Sequence, residues 1–308
     1  MRKPRALTAG DRIAVVAPAS PFQTEELHAG VEELRALGFD VHYDTSVFER
    51  TSYTAGAPDI RAAALKHAWA DPAIAGIVAA RGGYGSVQLL PFLAPSDFGG
   101  MPKAFIAYSD NTSLLAWLTL SCDVVTFHGP MIERRLARGP AGYDRDTFQR
   151  CLTRPAPIGR ITHQQVEVIK PGEASGMLIG GTMTQLATSL GTPYAFDPPN
   201  GSVLFFDEVA ERPYRVDRTF TQLAQAGIIS RASAIVFGEM PGCDEPGGGA
   251  PNIRDVVSEL TRDFPGPVLF GLPSGHTSGP TLTLPFGVKT RVSAGDRPAL
   301  IVEEAAVT

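Results

Sequence analysis

Short apolar runs alternate with helical periodicity through the first half of the chain. The runs RIAVVAPA, AGIVAA and KAFIAY have the length and the residue types of buried strands. Between the first two, apolar side chains recur at helical spacing, at Leu27, Val31, Leu34 and Leu37. Strands that alternate with helices predict a parallel sheet covered on both faces, and ligands gather at the carboxyl ends of such strands.

The periodicity weakens between about residues 150 and 170, where prolines interrupt the segment CLTRPAPIGRITHQQ. We predict a linker or domain boundary there, with an N-terminal α/β domain over 1–155 and a C-terminal domain over 170–308. The second half continues with short strands, with helices near 216–227 and 252–263, and with a Gly/Pro-rich loop, MPGCDEPGGGAPN. The predicted fold class is therefore α/β.

Composition and charge narrow the possible functions. The chain has 308 residues, 44% of them hydrophobic, and a formal net charge of -5. This mild acidity offers no attraction to nucleic acid or to an anionic membrane, so neither is expected as a partner. Three widely spaced cysteines argue against a disulfide framework or a cysteine metal site. Since neither a membrane-spanning stretch nor a signal peptide is recognisable, we expect a cytoplasmic protein.

Ser109 lies where an apolar strand, FIAY, runs directly into a helix, SDNTSLLAWLTL. This arrangement resembles a nucleophile elbow, which raises a serine hydroxyl above the sheet. The free N–H groups at the start of the helix are suited to stabilising an oxyanion. The G-x-S-x-G pattern is incomplete, because Ala107 and Asn111 occupy its glycine positions. Taken alone, the segment is also typical of a simple helix N-cap at Ser109 or Asp110.

Adjacent glycines, Gly82 and Gly83, follow another apolar strand in the sequence ARGGYGS. Glycines at a strand end permit close backbone approach, and one of their N–H groups is a candidate oxyanion donor. An ordinary tight turn between strand and helix is the alternative. The spacing does not match the dinucleotide-binding pattern G-x-G-x-x-G, and no Walker phosphate loop occurs.

Acidic and imidazole side chains that could complete a catalytic set lie in the second half. Asp207 and Glu208 end the apolar run LFF, and a carboxylate at a strand end often orients a histidine. Helix capping or pairing with nearby arginines is the alternative role for both acids. Of the six histidines, His276 lies in the turn PSGHTSG and is a candidate general base, with His128 as the other candidate.

Several stretches, in their order along the chain, resemble the LD-carboxypeptidase family, which includes muramoyl-tetrapeptide carboxypeptidases and microcin C immunity peptidases. The matching stretches are GDRIAVVAPAS, ARGGYGS, FIAYSDNTSLL, TFHGPM, GGTMTQLATSLGTPY, LFFDEVAERPYRVDRTFTQLAQAG, IVFGEMPGCD and GLPSGHTSGPTLTLPFG. They cover nearly the whole chain, and their joint order is far more specific than any single motif.

The resemblance implies a Ser-Glu-His triad, with Ser109 as the nucleophile and His276 as the general base. The usual family motif places glutamate before aspartate at the strand end, whereas this chain reads Asp207-Glu208. Register, the position of the acid relative to the strand end in the family motif, favours Asp207 alone. Side-chain identity favours Glu208, because the family acid is a glutamate. We narrowly prefer Glu208 and retain Asp207 as the second candidate.

The resemblance also implies a Rossmann-like, parallel-sheet N-terminal domain, a smaller β-rich C-terminal domain, and a homodimer. The oxyanion hole is expected to use the N–H of Asp110 and one from Gly82 or Gly83. The implied reaction removes the terminal D-alanine from an L-centre of murein tetrapeptide, a small peptide substrate, during peptidoglycan recycling. It needs neither a metal nor an organic cofactor.

Two alternatives remain at this stage. An immunity-type peptidase would hydrolyse a peptidyl- or aminoacyl-nucleotide antibiotic such as microcin C, and would carry an aromatic side chain that stacks on the base. The segment between Leu190 and Ser202 is short for the loop that holds such a side chain. A non-enzymatic nucleotide- or sugar-binding protein is the other alternative, and the missing phosphate-binding motif counts against it.

Overall fold

The computed structural model describes residues 1–308, which divide into two compact units. The N-terminal unit comprises Met1–Ala156, Gly279–Gly287 and Ala305–Thr308, and the C-terminal unit comprises Pro157–Ser278 and Val288–Glu304. The predicted division therefore needs two corrections. Residues 157–170 belong to the C-terminal unit rather than to a linker, and two later segments return to the N-terminal unit.

Fourteen strands and seven α-helices follow one another along the chain. The strands are β1 (Arg12–Val16), β2 (Asp40–Tyr43), β3 (Ile74–Ala79), β4 (Ala104–Ala107), β5 (Thr126–His128), β6 (Pro157–Ile161), β7 (Glu167–Lys170), β8 (Gly172–Thr182), β9 (Val203–Asp207), β10 (Ala234–Gly238), β11 (Val268–Leu272), β12 (Leu284–Phe286), β13 (Lys289–Ala294) and β14 (Ala299–Ala305). The α-helices are α1 (Thr24–Ala36), α2 (Pro58–Ala70), α3 (Thr112–Cys122), α4 (Arg145–Thr153), α5 (Met183–Thr188), α6 (Pro213–Gln225) and α7 (Ile253–Leu260).

The sheet of the N-terminal unit has the order β12-β5-β4-β3-β1-β2. Its first five strands along the chain are parallel, and β12 pairs antiparallel with β5 at the edge. Every residue of β3 and β4 is buried, as expected for a parallel sheet covered on both faces. The chain segments that leave these two strands carry Gly82 and Ser109, so the sheet brings both to the same edge.

The sheet of the C-terminal unit has eight strands in the order β6-β14-β13-β8-β9-β10-β11-β7. The four central strands, β8 to β11, run parallel to one another. On either side of them, β13 pairs antiparallel with β8 and β7 pairs antiparallel with β11. All residues of β9 and β10 are buried. Phe206 of β9 packs against Phe220 of α6 with ring centroids 6.2 Å apart, which anchors that helix to the sheet.

The sequence-based elements differ from the structure mainly where packing overrides local composition. The proline-containing segment near 150–170 lacks periodicity, yet its strands β6 and β7 complete the edges of the C-terminal sheet. Residues Ser86–Phe92 form a 3-10 helix that contains Pro91, which cannot donate the backbone hydrogen bond of a longer α-helix. None of the helices combines the length and the apolar character that crossing a bilayer requires.

Candidate active site

Ser109 occupies a tight turn between β4 and α3. Its φ angle is 63°, a left-handed conformation that residues other than glycine seldom adopt. A 3-10 turn over Ser109–Asn111 leads directly into α3. The Ser109 side chain is partly exposed, whereas Asp110 and Asn111 are buried. A strained serine at the carboxyl end of a central parallel strand has the geometry of a nucleophile elbow.

The backbone of Gly82 lies directly beside the Ser109 side chain. A Cβ atom on Gly82 would lie 2.7 Å from Ser109 Cβ, 2.9 Å from Ser109 Oγ and 3.4 Å from the nitrogen of Asp110. The absence of a side chain at Gly82 therefore lets its backbone lie closer to the Ser109 side chain than any other residue would allow. A substrate carbonyl attacked by Ser109 Oγ would also be close to the Asp110 N–H, a backbone donor.

We expect Gly82→Ala to lower kcat/KM by roughly 10³-fold, because the added methyl group collides with Ser109 Cβ and Oγ and displaces the nucleophile from the backbone donors. Gly82 does not have a positive φ angle, so alanine imposes no backbone strain there. Steady-state kinetics and urea unfolding measure the two effects separately. Gly100→Ala is the matched control, since a Cβ at Gly100 would meet nothing within 4 Å. Wild-type activity in folded Gly82→Ala would contradict the prediction.

A buried hydrogen-bond network joins the glycine segment to the start of α3. The Ser86 N–H donates to Asp110 Oδ2 at 2.8 Å, and the Ser86 hydroxyl donates to the Asp110 carbonyl at 2.6 Å. Arg61, on α2, donates to the Gly85 carbonyl at 2.8 Å and to Gln88 Oε1 at 2.6 Å. Burial lowers the pKa of Arg61, and the nearby Asp110 charge opposes that lowering. The network holds the glycine segment and the Asp110 N–H at a fixed separation.

In the C-terminal unit, Asp207 and His276 are in direct contact. Asp207 Oδ2 lies 2.7 Å from His276 Nδ1, and the backbone N–H of His276 donates to the same oxygen at 3.1 Å. Asp207 ends β9 and is completely buried, while the imidazole retains 15% exposure. A carboxylate in this position accepts a hydrogen bond from Nδ1–H, which leaves the Nε2 lone pair available as a base.

Glu208, the narrowly preferred partner of the histidine, makes different contacts. Its Oε2 accepts hydrogen bonds from the Thr184 N–H at 3.0 Å and from the Thr184 hydroxyl at 2.7 Å, at the start of α5. Successive side chains of an extended chain point to opposite faces of the sheet. Glu208 therefore points to the same face as Phe206, which packs against α6, and Asp207 points to the other face, where it contacts His276. The preference for Glu208 is thus corrected: the histidine contact belongs to Asp207, as register indicated.

Burial of the Glu208 carboxyl raises its pKa to about 6, and the charge of Asp207 adds to this effect. The folded-state pKa lies above the reference value of 4.5, so the folded protein binds this proton more tightly than the unfolded chain does. The resulting stabilisation is complete below the reference pKa and is lost as the pH rises through the folded-state pKa, by about 2 kcal/mol in total.

Glu208→Gln should therefore gain stability relative to the wild type as the pH rises, because glutamine has no proton to lose. Urea unfolding of both proteins at about pH 5 and about pH 8 measures this, with a relative gain of roughly 1–2 kcal/mol expected at the higher pH. A stability difference that stays the same at both pH values would show that the Glu208 carboxyl is not protonated preferentially in the folded state.

The other candidate side chains lie in packed positions. His128 is fully buried in β5, and its ring stacks on Phe286 with centroids 5.3 Å apart. The three cysteines are buried and form no disulfide, and burial raises the pKa of the Cys122 and Cys243 thiols to about 12. Such thiols are poor nucleophiles at neutral pH. No group of three or more His, Cys, Asp or Glu side chains is arranged to hold a metal ion.

Comparison with known protein families matches two segments, the first containing Ser109 and the second containing Asp207 and His276. Residues 13–129 match the LD-carboxypeptidase N-terminal domain, and residues 175–292 match the LD-carboxypeptidase C-terminal domain. The chain belongs to the LD-carboxypeptidase family. The resemblance inferred from the sequence motifs is therefore confirmed.

Relatives of this LD-carboxypeptidase family member cover almost its entire length. A putative carboxypeptidase of Streptomyces coelicolor is 34% identical over 97% of this chain and 97% of its own. The murein tetrapeptide carboxypeptidase of Pseudomonas aeruginosa is 31% identical over 93% of this chain and 94% of its own. The crystal structure of the microcin C7 self-immunity protein MccF, in its apo state, is 25% identical, covers 100% of both chains and has a TM-score of 0.91. The predicted α/β fold class is confirmed by this similarity.

Proposed function

We propose that this family member is a serine carboxypeptidase that releases the terminal D-alanine from murein tetrapeptide. The observation that carries the proposal is the placement of Ser109 Oγ, in a strained turn, close to the Asp110 N–H and to the backbone of Gly82. The hydrogen bond between Asp207 and His276 supports it, because it prepares an imidazole to act as a general base.

In the proposed mechanism, Ser109 Oγ forms a bond to the substrate carbonyl carbon while His276 Nε2 takes the hydroxyl proton. The π electrons of the carbonyl move onto its oxygen, and backbone N–H groups stabilise that negative charge. The oxyanion then collapses, the C–N bond breaks, and His276 returns the proton to the departing amine of D-alanine. Water hydrolyses the remaining serine ester by the same sequence of transfers.

Contacts within the structure support the proposed roles of the reacting groups. Asp207 remains a carboxylate throughout and holds His276 in the tautomer that presents Nε2. The Asp110 N–H and one N–H from Gly82 or Gly83 receive the oxyanion. No step of this acyl transfer calls for a metal or an organic cofactor. We further propose a cytoplasmic location and a homodimer, as inferred from the sequence.

The substrate class rests on the named relatives and is tested by direct assay. We expect the purified protein to release D-alanine from murein tetrapeptide, measured with a D-amino-acid oxidase coupled assay, and to leave the L-Ala-D-Glu linkage of the same peptide intact. A tetrapeptide that ends in L-alanine is the control and should not be cleaved. No D-alanine release by a correctly folded preparation would defeat the proposal.

Immunity-type hydrolysis is the second candidate, favoured by the TM-score of 0.91 with MccF. Two aromatic side chains lie in the segment 190–202, where the sequence argument expected a base-stacking residue. Phe196 is only 2% exposed, so its ring is not available for stacking on a base, whereas Tyr194 is half-buried. Cleavage of an aminoacyl sulfamoyl adenosine at a higher kcat/KM than murein tetrapeptide would favour this candidate over the first.

A further inference from the structure

Hydrogen bonds to two backbone carbonyls fix the orientation of the peptide groups in the glycine segment after β3. Two peptide groups follow β3, one between Arg81 and Gly82 and one between Gly82 and Gly83. The Arg81 carbonyl accepts a hydrogen bond from Asn111 Nδ2 at 3.0 Å. The Gly82 carbonyl accepts one from the backbone N–H of Ser20 at 3.1 Å. Each peptide group is therefore anchored through its oxygen.

The two anchors lie on opposite sides of β3. In the sheet order β4-β3-β1, Asn111 follows β4 and Ser20 follows β1. In a trans peptide the N–H points away from the carbonyl of the preceding residue. The Gly82 N–H consequently points toward the β1 side. The Gly83 N–H points toward the β4 side, where Ser109 lies.

We propose that Asn111 is the positioning residue of the oxyanion hole, and that the hole is formed by the N–H groups of Gly83 and Asp110. The inference rests on the proposed acyl transfer by Ser109, and it resolves the choice between Gly82 and Gly83. Asn111 touches no substrate atom in this scheme. It acts by holding the Arg81 carbonyl, which sets the orientation of the peptide groups that follow.

The surroundings of Asn111 support this role. Its side chain is fully buried, and Nδ2 also lies 3.3 Å from Met131 Sδ, so the amide is held on both sides. The flipped amide would turn Oδ1 toward the Arg81 carbonyl, and two acceptors repel each other. In the observed orientation Oδ1 has no hydrogen-bond partner, a destabilising arrangement. Asn111 occupies the last glycine position of the G-x-S-x-G pattern, where a glycine would leave the Arg81 carbonyl without this donor.

The far end of the glycine segment is anchored as well. The Tyr84 N–H donates to Ser20 Oγ at 3.1 Å, and Arg61 holds the Gly85 carbonyl. Gly83 has a φ of +96°, and a side chain there would collide with Ser20. The later residues of the segment are held in this way, and Asn111 supplies the restraint on the Arg81–Gly82 peptide group.

Asn111→Asp tests the proposal, because it replaces the Nδ2 donor by an oxygen of the same size. We expect kcat for D-alanine release to fall about 10²-fold, with KM changed less than about threefold. Asn200→Asp makes the same chemical change at an exposed loop position and should behave like the wild type. Because Asn111→Asp can also introduce a buried charge, Asn111→Ala is measured alongside it, with urea unfolding to establish that each variant is folded.

A second readout separates positioning from general damage. A tetrahedral phosphonate analogue of the scissile bond places an anionic oxygen in the hole, whereas the product D-alanine, which lacks the scissile carbonyl, does not. Both Asn111 variants should bind the phosphonate about 10²-fold more weakly and should be inhibited by D-alanine with a nearly unchanged inhibition constant. Equal losses for the two ligands, or unchanged kcat in both folded variants, would overturn the proposal.

The donor assignment has its own test. In a crystal structure of the phosphonate adduct at Ser109, we expect the phosphoryl oxygen within about 3 Å of the Gly83 and Asp110 nitrogens. Contact with the Gly82 nitrogen instead would overturn the assignment. A fluorophosphonate reacts with an activated serine whatever the natural substrate is. Slower labelling of the Asn111 variants would therefore support this inference even if murein tetrapeptide proved not to be the substrate.

Discussion

Ser109→Ala should lower kcat for D-alanine release by about 10⁶-fold, which is essentially complete loss of turnover. Alanine removes the only atom that forms the acyl bond in the proposed mechanism, and neither Asp207 nor His276 can replace it. The change also leaves the backbone turn intact, since alanine and serine have similar difficulty with a φ of 63°. Assays at high enzyme concentration, with the product measured by mass spectrometry, reach the required sensitivity.

The control for this substitution is Ser230→Ala, which removes an exposed hydroxyl from a turn in the C-terminal unit. It should retain wild-type kcat and KM. Ser109→Ala should still bind the tripeptide product with near wild-type affinity, because the hydroxyl contributes mainly to the transition state. Turnover by Ser109→Ala within about tenfold of the wild type would mean that another group attacks the substrate.

Asp207→Asn should lower kcat by about 10⁴-fold. The amide cannot accept a hydrogen bond from Nδ1–H with the strength of a carboxylate, and its NH₂ group favours the tautomer in which Nε2 carries the proton. His276 would then be held in the form that cannot take the Ser109 proton. Kinetics over a range of pH values, together with urea unfolding, measure the effect on catalysis and on stability separately.

Glu208→Gln provides the matched comparison, because it makes the same chemical change at the adjacent residue. Glu208 binds Thr184 rather than His276, so we expect kcat to change less than about tenfold in this variant. A larger loss of kcat in Glu208→Gln than in Asp207→Asn would indicate that Glu208 is the triad acid. Equal and large losses in both variants, without loss of folding, would indicate that the two carboxylates act as a coupled pair.

The chain regions with strong periodicity were predictable from sequence. Apolar runs and helical spacing identified β1, β3, β4 and α1, because burial on both faces demands continuous apolar residues in a parallel strand. The prolines near residues 155–157 suggested a linker, but pairing at a sheet edge depends on neighbouring strands that are distant in sequence. The return of Gly279–Gly287 to the N-terminal unit depends in the same way on the pairing of β12 with β5.

The candidate site was predictable in part. Ser109 lies at a strand-to-helix junction and His276 in a turn, and the resemblance to the LD-carboxypeptidase family assigns them their expected roles. The choice between Asp207 and Glu208 depended on where β9 ends, and strand boundaries are the least certain feature of a sequence-based prediction. The structure ends β9 at Asp207, and the alternation of side chains then separates the two acids.

The supporting residues of the site had almost no sequence signal. Arg61 lies on α2 among alanines, and its buried guanidinium contacts carbonyl groups of loops that are separated from it in sequence. In the sequence, Asn111 is distinguished only by occupying a glycine position of the G-x-S-x-G pattern. Every residue type carries a backbone carbonyl, so a sequence does not show which carbonyls accept hydrogen bonds from these side chains.

In the proposed mechanism one imidazole activates one serine hydroxyl, and a fluorophosphonate probe reports that activation without any natural substrate. We expect the probe to label Ser109 of the wild-type protein, identified by peptide mass spectrometry, and His276→Ala to slow labelling by about 10³-fold or more. Labelling of a different residue, or labelling of Ser109 at the same rate in folded His276→Ala, would contradict it.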